Sequence, residues 1–283
     1  MKITALIENR KSDNHSDLEV EHGLSLHIEY SSHNILFDTG CSEAFARNAE
    51  KLGVNLKLVD MAILSHHHYD HGGGLNFFLE HNDKSKVYLG KRPDGDALFK
   101  ALGGMMEKYI GLDKTLFEKY TDRFLFINGL AEISHDIFVL TDICNKYPRP
   151  KGNSKLMVKT DSGLEPDRFE HEIIVVIKEN GKLIVLTGCA HSGILNMVET
   201  VVRNFPDTPI KAVIGGFHLA GIPVESLLPE TPEEIAAVAS QMMKYPIEKV
   251  YTGHCTGMTA YEMLKEVMGD KLEYISTGTS IEL

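Results

Sequence analysis

Four histidines and an aspartate fall within six positions, His66-His67-His68-Tyr69-Asp70-His71, and Gly72-Gly73-Gly74 follow at once. The spacing matters more than the count. His66 and His68 are two apart, so in a near-extended segment both imidazoles point the same way. Asp70 comes two further on, and His71 follows at the turn. Neutral imidazoles with a carboxylate form a donor set that suits zinc, iron(II) or manganese. The glycines allow unusual backbone angles and close approach. A surface histidine run or an affinity tag would lack the interleaved aspartate.

The elements that position this stretch can be read beside it. Met61-Ala62-Ile63-Leu64 is an apolar run of strand length, and Leu75, Phe78 and Leu79 then sit at helical spacing. The cluster therefore lies on a strand-to-helix loop, where positioned chemistry is common. Upstream, strands are predicted over 2–8, 24–30 and 34–40, with a helix over 42–52 ending at Gly53. Asp38 closes a strand at the same sheet end as the histidines. It could hold a ligand imidazole or brace the loop, or it could cap the following helix. His22 could reach the cluster from a loop, although a lone exposed histidine is more often neither ligand nor catalyst.

Three later junctions repeat the pattern of a strand, glycine and histidine. They are Gly188-Cys189-Ala190-His191-Ser192-Gly193, Gly215-Gly216-Phe217-His218-Leu219 and Gly253-His254-Cys255-Thr256-Gly257. One such histidine is ordinarily a satisfied polar residue. Repetition in both halves argues for one shared site. Around these junctions, strands over 171–178 and 182–187 flank Asn180-Gly181, the clearest hairpin signal in the chain. Helices are predicted from 194, from Thr231-Pro232 and over 258–267.

Residues 91–170 differ in texture. Helices are predicted near 103–109 and 116–120, strands near 124–127 and 137–140, and a loop over 145–153. The loop's Lys146, Arg149 and Lys151 could clamp an anion, or the loop could simply be solvated. A long irregular region of this kind suggests a lid over the active site. Helices near 95–120 would be compatible with a homodimer contact.

The chain has 283 residues, 43% hydrophobic and 24% charged, with a formal net charge of −11. That acidic balance argues against sequence-independent nucleic-acid binding. The N-terminal apolar run is too short for a signal peptide, and no stretch reaches spanning length. Cys41, Cys144, Cys189 and Cys255 are scattered and form no disulfide framework, so a cytoplasmic protein with reduced thiols is expected.

His66-x-His68-x-Asp70-His71, following an apolar strand and preceding Gly-Gly, resembles the signature of the metallo-β-lactamase-fold hydrolases. The resemblance implies an α/β fold, a four-layer αββα sandwich, with one or two metal ions at the edge between two sheets. It implies one domain over 1–283, built from halves near 1–90 and 171–283 with 91–170 inserted as a lid. Within it, His66 and His68 belong to one metal, and Asp70, His71 and His254 to the other. His191 and His171 compete as the third histidine of the first metal, with His191 favoured. Cys189 stands where the superfamily usually has a bridging Asp; a thiolate there could bridge softly or not bind at all. His218 would donate to a developing oxyanion or be a structural histidine beside the site. Zn2+ is the expected ion, with Mn2+ or Fe2+ as alternatives.

A narrower resemblance rests on Glu21-His-Gly-Leu-Ser together with the three later Gly–His motifs. It is to the branch named 7,8-dihydropterin-6-yl-methyl-4-(β-D-ribofuranosyl)aminobenzene 5′-phosphate synthase. His171, usually Asp there, and His67, usually Gly, depart from its pattern. The expectation is thus a metal-dependent hydrolase acting through activated water on an anionic, phosphorylated small molecule, with Asp70 and His218 catalytic. The alternatives are the pterin-diphosphate condensing synthase, with a pterin-like substrate, and a metal-binding sensor or redox protein on the same fold.

Overall fold

The computed structural model describes residues 1–12, 14–92, 95–101, 105–221 and 227–283. Two compact units divide the chain: 1–126 with 157–165 and 275–283, and 127–156 with 166–274. The 91–170 region contributes to both.

The first unit is built on a seven-stranded sheet. Its order is Ser280–Glu282, Lys2–Ile7, Ser25–Tyr30, His33–Phe37, Met61–Leu64, Lys86–Leu89 and Phe124–Phe126. The first four strands pair antiparallel and the last four parallel. The helices Ala44–Lys51 and Leu75–His81 supply the crossovers that parallel pairing requires. Leu75, Phe78 and Leu79 are buried against Leu36, Leu64 and Leu89, as their helical spacing predicts. Burying each contributes roughly 1.5–3 kcal/mol. Because His33–Phe37 and Met61–Leu64 run parallel, the segments after both leave from one sheet edge. Asp38 and the histidine loop therefore start side by side.

The second unit repeats the plan. Its seven strands lie in the order Leu272–Tyr274, Ile247–Thr252, Ile210–Ile214, Lys182–Leu186, Ile174–Glu179, Ile137–Leu140 and Leu130–Ser134. The first four are parallel and the rest antiparallel. Asn180 and Gly181 turn the hairpin with φ of 51° and 72°, the two positive values a type I′ turn needs. Helix Pro232–Met242 begins with a capping box between Thr231 and Glu234, worth about 1 kcal/mol. Among the described residues no helix is long and apolar enough to cross a membrane.

A third sheet pairs Gly163–Pro166, Leu156–Thr160, Asp96–Ala101 and Met106–Tyr109. It corrects two expectations. Residues 106–109 form a strand rather than a helix, in register Leu98↔Tyr109 and Ala101↔Met106. Of the helices expected near 95–120, the described residues contain Leu116–Lys119. Two adjacent glycines, each costing a helix about 1 kcal/mol, oppose a helix here. Gly103 and Gly104 themselves lie outside the described residues.

Candidate metal centre

In the first unit the loop leaves Leu64 and is fixed at once by Asp38. Ser65 donates from N and Oγ to the two Asp38 carboxylate oxygens, at 2.7 Å each. His71 donates from Nδ1 to Asp38 Oδ2 at 2.6 Å. Asp38 thus braces the loop and does not cap the helix, whose N-cap is Glu43. To do so it holds a φ of 58°, a strained value for a residue with a Cβ.

That bracing sets the imidazole tautomers. With Nδ1–H spent on Asp38, His71 presents Nε2 as an electron-pair donor, 3.8 Å from Asp70 Oδ2. The Ser65 hydroxyl proton goes to Asp38, so Ser65 Oγ accepts from His66 Nδ1 at 2.9 Å. His66 then presents Nε2, 3.1 Å from His68 Nδ1. Such separations suit atoms that each sit about 2.0–2.2 Å from a shared ion. All four side chains are buried. The donor set and its bracing therefore fit a divalent metal, with carboxylate-held histidines as metal sites favour. The His67 ring instead lies 6.0 Å from that of Phe117.

The three glycines serve close approach. Gly73 has an ordinary helical φ of −64°, yet a Cβ there would lie 2.1 Å from the Cys41 carbonyl oxygen. The unusual angles expected of the glycines are thus not what Gly73 provides. Near the same loop, His22 Nε2 stands 3.3 Å from Asp70 Oδ2. Burial pushes the adjacent Cys41 thiol up to about 12, with the Asp70 and Glu21 charges adding to it.

In the second unit the donors come from three loops. Cys189 offers a ligand atom within 4.8 Å of one from His191, of one from His254, and of those from His218 and Cys255. All five are buried. Ala190, His218 and His254 hold positive φ values of 57°, 51° and 50°. Strain of this kind costs about 1–3 kcal/mol per residue and gathers at functional sites. Glu172, fully buried, accepts from the amides of His191 and Ser192 at 2.7 Å each. Burial raises its carboxyl, and the Ser192 and His191 donors pull the other way. Asn153 Oδ1 lies 3.0 Å from His191 Nδ1. Phe169 stacks on the His191 ring at 4.3 Å, and His218 packs against it at 4.2 Å.

Both competing candidates lie beside a possible partner ligand. His171 Nε2 lies 3.3 Å from Asp167 Oδ2, and each of the pairs His171–Asp167 and His191–Cys189 offers ligand atoms within 4.8 Å of each other. Of the three loop cations, Lys146 pairs with Glu199 at 3.0 Å and Lys151 with Glu234 at 2.5 Å. Arg149 is exposed and donates to the Arg168 carbonyl at 2.7 Å. Ser65, Glu172 and Asn153 were not anticipated as supports. Ser65 and Glu172 each adjoin a candidate histidine in sequence, which is the one signal that could have marked them.

The family profile of the metallo-beta-lactamase superfamily matches residues 19–142. A Methanocaldococcus jannaschii protein named 7,8-dihydropterin-6-methyl-4-(beta-D-ribofuranosyl)-aminobenzene-5'-phosphate synthase is 31% identical over 100% of this chain and 96% of its own length. A solved metal-dependent hydrolase of the beta-lactamase superfamily is 28% identical, with a TM-score of 0.82 over 100% of this chain and 99% of that one. A diphosphatase of the PhnP family shares the fold at 12% identity and a TM-score of 0.56, covering 100% and 97% of the two chains. The chain belongs to the metallo-β-lactamase superfamily.

Proposed function

We propose that this chain is a metal-dependent synthase that joins a dihydropterin methyl diphosphate to an aromatic amine bearing ribose phosphate. The observation that carries the reading is the 31% identity, along the whole chain, to a protein named for the product of that joining. It replaces hydrolysis as the leading reaction. The anionic, phosphorylated substrate expected from the sequence is retained.

The proposed ligands are His66, His68 and His191 for one ion, and Asp70, His71 and His254 for a second. Cys189 would be a further ligand, with His171 the competing third histidine of the first ion. A bound divalent ion, Zn2+ in the first instance, supplies charge neutralisation for a diphosphate leaving group. The protein's side chains do the rest. The amine nitrogen bonds to the pterin methylene carbon as the carbon–oxygen bond breaks, and the electron pair leaves with diphosphate. Asp70 takes the amine proton. His218 donates a hydrogen bond to a leaving-group oxygen. Arg149 is the remaining cation for the ribose phosphate. A cytoplasmic setting is part of this proposal, and the four free cysteines support it.

A second reading, hydrolysis of the diphosphate ester with water in place of the amine, is favoured by the 28% identical metal-dependent hydrolase. One experiment separates them. Metal-loaded protein is incubated with the pterin diphosphate, with and without the aminobenzene ribose phosphate, and products are followed by mass and diphosphate release. Coupled product in step with diphosphate supports the synthase. Amine-independent release of hydroxymethyl-dihydropterin rejects it in favour of the hydrolase.

A further inference from the structure

The second unit contains a cavity of about 360 Å³ that the metal-ligand reading does not use. Its volume lies within the roughly 300–1,000 Å³ range of small-molecule sites. Pro148, Ile194, Leu195, Phe217 and Val238 give it mostly apolar walls, and Glu230 lines it as well. Glu230 is only 8% exposed. Its Oε1 accepts from the Lys151 amide at 2.6 Å, while its Oε2 is buried with no hydrogen-bond partner among the described residues. Burial pushes this carboxyl up, against the pull of the Lys151 and Glu230 amides. Nearby Lys151 Nζ does not answer it, being paired with Glu234.

A buried acceptor without a partner is unfavourable, and native proteins rarely leave one so. Apolar walls around a single desolvated carboxyl call for a flat ring that carries N–H donors on one edge. The 2-amino group and adjacent ring N–H of a dihydropterin form such an edge. Their two parallel N–H bonds match a carboxylate as a guanidinium fork does. The cavity also adjoins the right chemistry, since Phe217 precedes His218 and the lining Gly193 lies two residues after His191.

We infer that this cavity is the pterin subsite, with Glu230 receiving the amino–imino edge of the ring. This deepens, and rests on, the synthase reading.

The test uses the full chain and 6-hydroxymethyl-7,8-dihydropterin as probe, with binding followed by calorimetry. Wild type should bind it, and should bind lumazine, which has a carbonyl in place of the 2-amino group, at least ~10-fold more weakly. Glu230→Gln, which keeps the Oε1 contact, should weaken dihydropterin by about 10-fold or more. Val238→Trp, which fills the cavity from the helix side, should abolish binding and carries the test if the Gln variant does not fold. Wild-type affinity in both variants, or no binding by wild type, overturns the assignment. Condensation with an unchanged KM for the pterin diphosphate in Glu230→Gln rejects the subsite and spares the reaction. Glu230-dependent binding without condensation or diphosphate release rejects the reaction and spares the subsite.

Discussion

The two units build the same kind of sheet and deliver their histidines in opposite ways. Each has an antiparallel side and a parallel side, with the site loops leaving the carboxyl ends of parallel strands. In the first unit one loop carries His66, His68, Asp70 and His71, and a single carboxylate, Asp38, holds its base. In the second, His191, His218 and His254 come from loops after three successive parallel strands. The cost differs accordingly. One loop presents several donors through local alternation and one helical turn, with strain at Asp38 alone. Three loops each need their own bend, and Ala190, His218 and His254 all have positive φ. A ligand set on one loop is a local property, whereas one spread over three loops is a property of the sheet.

If this contrast is right, breaking the single loop should do the most damage. His68→Ala should abolish turnover and remove about one ion per chain, read by elemental analysis beside the activity assay. Full metal content with normal turnover would refute the loop as a ligand source. Asp38→Asn should come next. It leaves every ligand in place but loses the charge that orients His71, so metal affinity should fall by roughly 10–100-fold in chelator competition. Glu172→Gln is the matching change in the second unit. It sets an amide against the His191 and Ser192 N–H groups, and should lower stability more than it lowers affinity for an ion held by the first-unit loop.

Glycine substitutions sharpen the same comparison. A Cβ at Gly73 meets the Cys41 carbonyl oxygen at 2.1 Å, so the backbone must shift. Gly73→Ala should cost about 1–3 kcal/mol in urea unfolding. Gly181→Ala meets nothing within 4 Å and bears only its φ of 72°. It should cost about 1 kcal/mol. Equal losses would mean that close packing under the histidine loop is not what fixes Gly73.

The same division explains what the sequence made legible. The histidine loop could be read because its donors are neighbours in sequence and its flanking strand and helix have clear periodicity. The later histidines were visible as repeated Gly–His junctions, but only as a pattern. Their grouping around Cys189 depends on three strands being adjacent. Asp38 was balanced between brace and cap because both roles place a carboxylate at a strand end, and only the 2.6 Å contact to His71 decides. The 106–109 strand escaped because its residues are exposed and carry no burial period. Glu230 gave no signal at all. It precedes a well-marked helix cap, and its burial depends on the distant 147–151 segment.

The smallest expected effect concerns a polar cluster in the second unit. Desolvation pushes the Glu199 carboxyl up, but donors from Tyr245, Lys146 and Arg203 outweigh it and bring the group down to about 2. Tyr245 donates to Glu199 at 2.7 Å and meets the Tyr147 hydroxyl at 2.8 Å. Because the folded value lies below the unfolded one, near 4.5, the charged Glu199 stabilises the fold above that pH. This contribution is lost as pH falls from about 4.5 toward 2. Tyr245→Phe should therefore cost about 1 kcal/mol at pH 6, and less as the medium is acidified through that window, measured as urea midpoints at pH 6, 4 and 3. A loss independent of pH would assign the role of Tyr245 to packing against its neighbours and not to its bond with Glu199. The first unit offers the control. Its Asp60 is also held below the usual carboxylate range, by the Asn34 amide and Lys84 against desolvation, and Tyr245→Phe should leave its titration unmoved.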